Sequence, residues 1–232
     1  VHKTKMKLST GDKIFNAVNI VVMFLICLII VYPLYYVIIA SMTDPVIVNS
    51  GKLLFYPEKP YFEGYKTTLT YMPLWTSYKN TILYTVVGTL VSLFATIPAG
   101  YALSRKDLVG RRALIFVFTF TMFFSGGIIP LYLTIRSLGI YNSIWAMVLP
   151  VAVSAYNLIV CRSFFESGIP DELLEAAKVD GCSDFGFFFK IAIPLSSTII
   201  AVMALFYATA MWNQFFNALM YLQDDNKMPL QV

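Results

Sequence analysis

NTILYTVVGTLVSLFATIPAGYALS, residues 80–104, runs for twenty-five positions without an Asp, Glu, Lys or Arg, between Lys79 and Arg105. A helix needs about 20 apolar residues to cross a bilayer, and in hydrocarbon it is the local structure that satisfies its own backbone hydrogen bonds. Four more windows share the property: residues 14–43, 113–135, 137–161 and 191–223. Their apolar residues are scattered evenly rather than alternating, which argues against an outer-membrane barrel. The reading is an all-α, polytopic transmembrane helical bundle with five spans.

Composition agrees. Of 232 residues, 58% are hydrophobic and 13% charged, against about 25% charged in a soluble domain. No basic stripe suggests a nucleic-acid partner. Cys27, Cys161 and Cys182 fit no disulfide or metal spacing, and His2 is the single histidine, so no metal site is expected. The windows hold no acid, base or histidine and no G-x-S-x-G, so no catalytic residue is expected and a membrane-embedded enzyme is disfavoured. A secondary transporter or channel for a polar solute usually shows intramembrane carboxylates or bases. Their absence counts against that alternative, although backbone-lined cation sites leave it open.

Charge asymmetry sets the orientation. Lys3, Lys5, Lys7 and Lys13 precede the first window, and Arg105, Lys106, Arg111 and Arg112 follow the second; both segments are expected in the cytoplasm by the positive-inside rule. The domain reading is a cytoplasmic segment over 1–13 and a transmembrane region over 14–223, with an extracellular loop at 44–79 and a cytoplasmic loop at 166–186. Residues 224–232 then begin a second extracellular loop. With no Met before Val1 and a polar stretch at 223–231, a trimmed chain with a sixth helix outside it is expected. One loop is anomalous: residues 162–190 carry three basic and six acidic side chains, a balance that a partner surface, rather than lipid, would select.

That loop contains GIPDELLEAAKVDG, residues 168–181. Pro170 suits a first turn, Asp171 and Glu172 favour the positive end of the helix dipole, and Gly181 suits a left-handed stop. Leu173, Leu174 and Ala177 form an apolar face, and Ser183 can cap the next helix. The run Glu175-Ala176-Ala177-x-x-Asp180-Gly181, followed by Phe188, Ile191 and Pro194-Leu195, resembles the EAA loop of ATP-binding-cassette (ABC) importer permeases, with Cys182 where Ala is usual and Ile193 where Leu is commoner. Gly100-Tyr101-Ala102-Leu103-Ser104-Arg105 through Gly110-Arg111-Arg112 is similar to the end of the second core helix in sugar-importer permeases. Residues Phe123 to Tyr132, FFSGGIIPLY, resemble the subgroup related to the permeases LplC and YtcP.

The resemblance implies a type I importer permease (MetI-like) fold, five spans of six, in the bacterial cytoplasmic membrane. It implies an alternating-access subunit of a binding-protein-dependent carbohydrate importer for oligosaccharide or modified sugar. In that family the loop is a coupling helix seated in a cleft of a cytosolic ATPase, which assigns ATPase coupling to Glu175, Ala176, Ala177, Asp180 and Gly181. The two alanines would admit a close surface, and Glu175 and Asp180 would pair with basic groups. The implied partners are a second homologous permease, two ATPase subunits and an extracellular solute-binding lipoprotein, with membrane lipid around the spans. No G-x-x-x-x-G-K-[ST] occurs, so no cofactor is expected on this chain: ATP and Mg belong to the partner ATPases.

Within the spans, Gly88, Ser92, Thr96 and Gly100 form a small-residue stripe for close helix packing. Pro98, Pro130, Pro150 and Pro194 permit kinks, and Gly126-Gly127 before Pro130 makes the third window the one expected to break. Tyr207, Thr209, Trp212, Asn213, Gln214 and Asn217 form a polar cluster in the fifth, with Thr209, Asn213 and Asn217 on one face. Amide, hydroxyl and aromatic groups are what a sugar path requires, and equally what interhelical bonds and an aromatic belt require. The segment 44–79 carries many rings, with Pro45, Pro57, Pro60 and Pro73.

Overall fold

A computed structural model describes residues 9–51, 55–56 and 60–232. His2, Lys3, Lys5, Lys7 and Pro57 therefore lie outside the described residues. The described elements are helical, and they fall into two compact units, Val1–Tyr71 and Met72–Val232.

In the first unit, α1 (Thr10–Ser41) is 32 residues long, about 48 Å at 1.5 Å per residue. Ser9 precedes it, its backbone N–H donating to Asp12 at 2.9 Å, which satisfies a donor the helix itself cannot. Apolar side chains surround the helix and nearly all are exposed, the pattern of a rod meant for an apolar medium rather than water. Two short helices follow, α2 (Pro45–Asn49) and α3 (Glu63–Thr70). Asp44 caps α2 by accepting from Val46 N at 2.8 Å. Of the rings in this loop, Phe55 packs edge-on against Tyr32, and its carbonyl accepts from the Tyr35 hydroxyl.

The second unit is built around α4 (Met72–Ser104), 33 residues, against which several of the later helices pack. After it come α5 (Arg111–Phe123), α6 (Ile128–Ser137), α7 (Ile144–Val148), α8 (Ala155–Gly168) and α9 (Asp171–Val179). The chain then runs through α10 (Asp184–Phe187), a π-helical turn at Phe188–Ala192, α11 (Ile193–Leu195), α12 (Ser197–Trp212) and α13 (Phe215–Tyr221).

Among the described residues only α1 and α4 are long and apolar enough to cross a membrane as single rods; three bent pairs would bring the number to as many as five if each counts as one span. The windows 113–135, 137–161 and 191–223 are thus bent rather than straight, the first of them at the Gly126-Gly127 and Pro130 break expected from sequence, and each break has a chemical cause. Arg111–Phe123 meets Ile128–Ser137 at 115°, with Gly127 at φ +85°, a conformation that side-chain-bearing residues resist, and Pro130 in the first turn beyond. Ile144–Val151 meets Ala155–Gly168 at 52°; Ser154 restarts the helix by accepting from Asn157 N at 3.4 Å. That helix also continues past Cys161 to Gly168, carrying the pair Arg162–Glu166 one turn apart. Asp184–Leu195 meets Ser197–Trp212 at 78°, where Pro194 supplies no N–H to the preceding turn and the π turn takes up the register change.

Helices approach α4 where it lacks side chains. A Cβ on Gly88 would lie 2.5 Å from Met211 Sδ, and one on Gly100 would lie 2.8 Å from Cys161 Sγ and 3.3 Å from Arg162 N. Small residues permit this proximity in membranes, where dispersion contacts, not hydrophobic expulsion, hold helices together. Tyr207 knots three elements: its hydroxyl shares a hydrogen bond with Thr96 Oγ1 at 2.7 Å and accepts from Ser154 N at 3.2 Å.

At the Met72 end of α4 the last residues fold back on the bundle. Asn142, at φ +56°, accepts on Oδ1 from Gln223 N at 3.0 Å. Lys227 Nζ donates to Asn142 O at 2.9 Å, Tyr84 donates to Lys227 O at 2.8 Å, and Asn80 Nδ2 donates to Asn226 O at 2.7 Å. Residues 224–232, expected from sequence to begin an extracellular loop, are held here by side chains of α4 and by Asn142 in the turn before α7.

Candidate functional site

The Ser104 end of α4 carries a different surface. There α9 lies against the bundle, and its sequence explains how. Pro170 is extended at φ −60°, ψ 143° and precedes the helix, so Asp171 rather than Pro170 opens it. Asp171 and Glu172 stand at the positive dipole end and Lys178 in the last turn, each sign where the dipole favours it. The stop is a Schellman arrangement: Cys182 N donates to Ala177 O at 2.9 Å and Gly181 N to Lys178 O at 3.0 Å. Gly181 sits at φ +76° with open space around its absent Cβ, so backbone conformation, not crowding, demands glycine there. Ser183 then caps α10, accepting from Gly186 N at 3.1 Å.

Leu174 and Ala177 are buried in a cluster with Phe165, Ile169, Phe187 and Phe188. At 100° per residue this leaves Glu172, Glu175, Ala176, Val179 and Asp180 outward, and all are exposed, Val179 at 88%. Two expectations change. Leu173 lies at the edge of the apolar face, 38% exposed. Ala177 faces the core, so of the two alanines only Ala176 is positioned to admit a neighbouring surface; three positions after Leu174, Ala177 shares its inward stripe.

Around α9 is a set of ion pairs that reading the motif alone missed. Asp171 Oδ2 accepts from Lys106 Nζ at 2.6 Å, with Arg105 Nη1 at 3.6 Å from its other oxygen. Lys178 Nζ lies 3.9 Å from Asp107 and 3.6 Å from Asp184. The hydrogen bond from Lys106 holds the Asp171 carboxyl below the usual carboxylate range, and the same bond raises the Lys106 ammonium above the usual lysine value. Behind them, Glu166 takes Arg111 and Arg162 at 2.5 Å each. Both guanidiniums also donate to Leu103 O, at 2.8 and 3.4 Å, satisfying a carbonyl in the last turn of α4 that the helix leaves open. The sequence signal was present in the sign order of Arg105-Lys106-Asp107 against Asp171 and Lys178, but charge order alone does not say which loops meet.

The polar cluster of the fifth window is divided by the fold. Tyr207 and Gln214 are buried, and Thr209, Trp212 and Asn213 are exposed. Asn213 closes α12, its Nδ2 donating to Thr209 O at 2.8 Å. Asn217 belongs to the next helix and donates to Gln214 Oε1 at 3.0 Å. The single face expected for Thr209, Asn213 and Asn217 is broken at Asn213, where the helix ends. Gly126 is exposed beside the bend. Among the described residues no group of His, Cys, Asp and Glu is arranged to hold a metal ion.

Comparison with known proteins places this geometry. Residues 70–231 match the family described as binding-protein-dependent transport system inner membrane component. The polygalacturonan/rhamnogalacturonan transport system permease protein YtcP of Bacillus subtilis is 41% identical over 95% of this chain and 77% of its own length. Protein LplC of the same organism is 38% identical over 100% of this chain and 77% of its own. A chain from the crystal structure of a bacterial ABC transporter involved in the import of the acidic polysaccharide alginate superposes with a TM-score of 0.92 at 36% identity, covering 98% of this chain and 81% of that one. The chain belongs to the binding-protein-dependent transport system inner membrane components, with the MetI-like fold: it is an ABC importer permease subunit of the bacterial plasma membrane.

Proposed function

We propose that α9 is the coupling helix of this permease, seated by its outward face on a separate ATPase subunit in the cytoplasm. The supporting observation is the division of its surface: Leu174 and Ala177 anchor it, while Glu175, Ala176, Val179 and Asp180 stand exposed. An 88% exposed valine flanked by two carboxylates and one small residue is a surface suited to an apolar cleft rimmed by basic groups. Gly181 ends the helix sharply enough for the chain to return to the membrane. In this reading the first residues of the chain and the turn after α4 face the cytoplasm, and the end with Asn142 faces outside.

The complex comprises a second homologous permease, two ATPase subunits that bind ATP and Mg, and a solute-binding lipoprotein. This chain hydrolyses nothing itself. It contributes alternating access for an oligosaccharide or modified sugar, acidic ones included. Thr209, Trp212, Asn213 and Asn217 serve the sugar's path, and Tyr207 and Gln214 support them from inside; residues 191–223 offer no charge that would trap the cargo. The bends at Gly126-Gly127-Pro130 and the close contacts at Gly88 and Gly100 let rigid pieces rock against one another.

The test is reconstitution of the whole complex in vesicles. Uptake should require ATP and the binding protein, and Glu175→Lys and Gly181→Pro should each break the link between hydrolysis and uptake. Coupling unchanged in both variants removes the assignment of α9. Wild-type uptake of every cargo by Asn213→Leu with Asn217→Leu removes the path.

A further inference from the structure

The turn Arg105-Lys106-Asp107 contributes three consecutive side chains to one neighbour. Arg105 and Lys106 hold Asp171 at the first residue of α9, and Asp107 faces Lys178 at its other end. Asp171 and Lys178 are seven residues apart, so they lie on the same face within about 20° and about 10 Å apart along the axis. That face is neither the buried stripe of Leu174 and Ala177 nor the outward surface of Ala176 and Val179. The helix therefore presents three faces: one packed, one exposed and one paired with the end of α4.

We propose that Arg105-Lys106-Asp107 is a two-point electrostatic clamp that passes displacement of α9 to α4, with Asp171, Lys178 and Asp107 as positioning residues of coupling. The inference rests on the reading of α9 as the ATPase-facing helix. Apolar contact at Leu174 and Ala177 resists separation but is non-directional, so it permits the helix to slide or roll. The clamp removes that freedom. Its signs run positive, positive, negative along the turn and negative to positive along the helix, so a slip toward either end brings like charges together. Behind it, Arg111, Arg162 and Glu166 brace Leu103 O, so the turn moves with the end of α4 rather than independently. From there α4 reaches α8 at Gly100 and α12 at Gly88 through contacts too close for a Cβ. An isolated exposed pair contributes little; here paired charges at both ends of a nine-residue helix act as one constraint.

The experiment uses the complete complex in vesicles and reads cargo taken up per ATP hydrolysed, with co-purification of the ATPase subunit alongside. Lys106→Asp and Asp171→Lys should each lower that ratio by roughly fivefold, with ATPase subunit bound as in wild type. The double reversal should return it to within about twofold. Asp107→Asn and Lys178→Gln, which introduce no repulsion, should each lose about twofold and lose less together than the product of the two, because they share the Lys178–Asp107 contact while Lys178→Gln also gives up Asp184 and Asp107→Asn gives up Arg105. A ratio unchanged in all single variants, a double reversal no better than its parents, or additive losses in the neutral pair would each overturn the clamp. A reversal that instead strips the ATPase subunit from the complex would also overturn it, since the clamp faces away from the docking surface. No ATP-driven uptake by the unaltered complex would refute the assignment of α9 itself, a result distinct from any pattern among the variants.

Discussion

Adding one methyl group to α4 should have unequal consequences at its two closest contacts. Alanine in place of glycine within a helix gains about 1 kcal/mol of intrinsic propensity, and forcing an extra carbon into a packed contact costs about 1–3 kcal/mol. At Gly88 the methyl would meet the Sδ, Cε and Cγ atoms of Met211 at 2.5, 2.8 and 3.0 Å. All belong to one unbranched side chain that re-packs readily, so the cost stays near the lower bound and the net is close to zero. At Gly100 the methyl would meet Cys161 Cβ at 3.0 Å and the backbone nitrogen of Arg162 at 3.3 Å. Neither atom moves without α8. The cost there approaches the upper bound, leaving a net destabilisation of about 2 kcal/mol, or about 4–8 °C in apparent melting temperature for a chain of this size. The assay is thermal unfolding of the detergent-purified complex, with Gly64→Ala as the uncrowded control, since nothing lies within 4 Å of a Cβ there. The pair Arg162–Glu166 lies beside the displaced segment, so Gly100→Ala should also disturb the brace on Leu103 O. Equal melting temperatures for Gly88→Ala and Gly100→Ala would refute the claim that side-chain yield, rather than distance, decides these contacts.

Three further outcomes are expected. Tyr207→Phe removes one oxygen that serves both Thr96 and Ser154 N, so it should cost about 1–2 kcal/mol, read as a lower melting temperature. Gly181→Ala forces φ +76° on a residue with a Cβ and should cost about 1–2 kcal/mol, with Gly181→Asn milder because Asn tolerates the left-handed region. The Lys106–Asp171 bond has a pH signature. The depressed Asp171 carboxyl contributes stability above its ordinary 3.8 that is lost as pH falls through its lower folded value, and the raised Lys106 ammonium contributes below 10.5 and loses its contribution as pH rises through its higher one. The difference in melting temperature between wild type and Asp171→Asn should therefore be flat from about pH 5 to about pH 9 and shrink in acid; a difference that grows in acid would contradict the pairing.

Much of this protein was legible in one dimension because two constraints act locally. Crossing hydrocarbon demands a long uncharged run, which marked all five windows, and a helix end demands its own chemistry, which placed α9 between Pro170 and Gly181, one residue early at its start. Glycine and proline likewise announced the break at Gly127 and Pro130, since their conformational limits travel with them. Proline marked the other two breaks as well, with Pro150 in the turn Leu149–Val151 and Pro194 in α11, and of the prolines expected to permit kinks it failed only at Pro98, which lies within the unbroken α4.

What sequence could not decide is which surfaces meet. The apolar face of α9 predicted Leu173, Leu174 and Ala177 inward, yet Leu173 stays 38% exposed, because the bundle determines how far that face is turned. Thr209, Asn213 and Asn217 have the spacing of a single face, but the helix ends between them. The grip of Arg105, Lys106 and Asp107 on α9 joins positions more than sixty residues apart in the chain. Local order fixes hydropathy, caps and breaks, since these depend on neighbours along the backbone; long-range charge pairing depends on where the helices have packed, and that is settled by the tertiary structure.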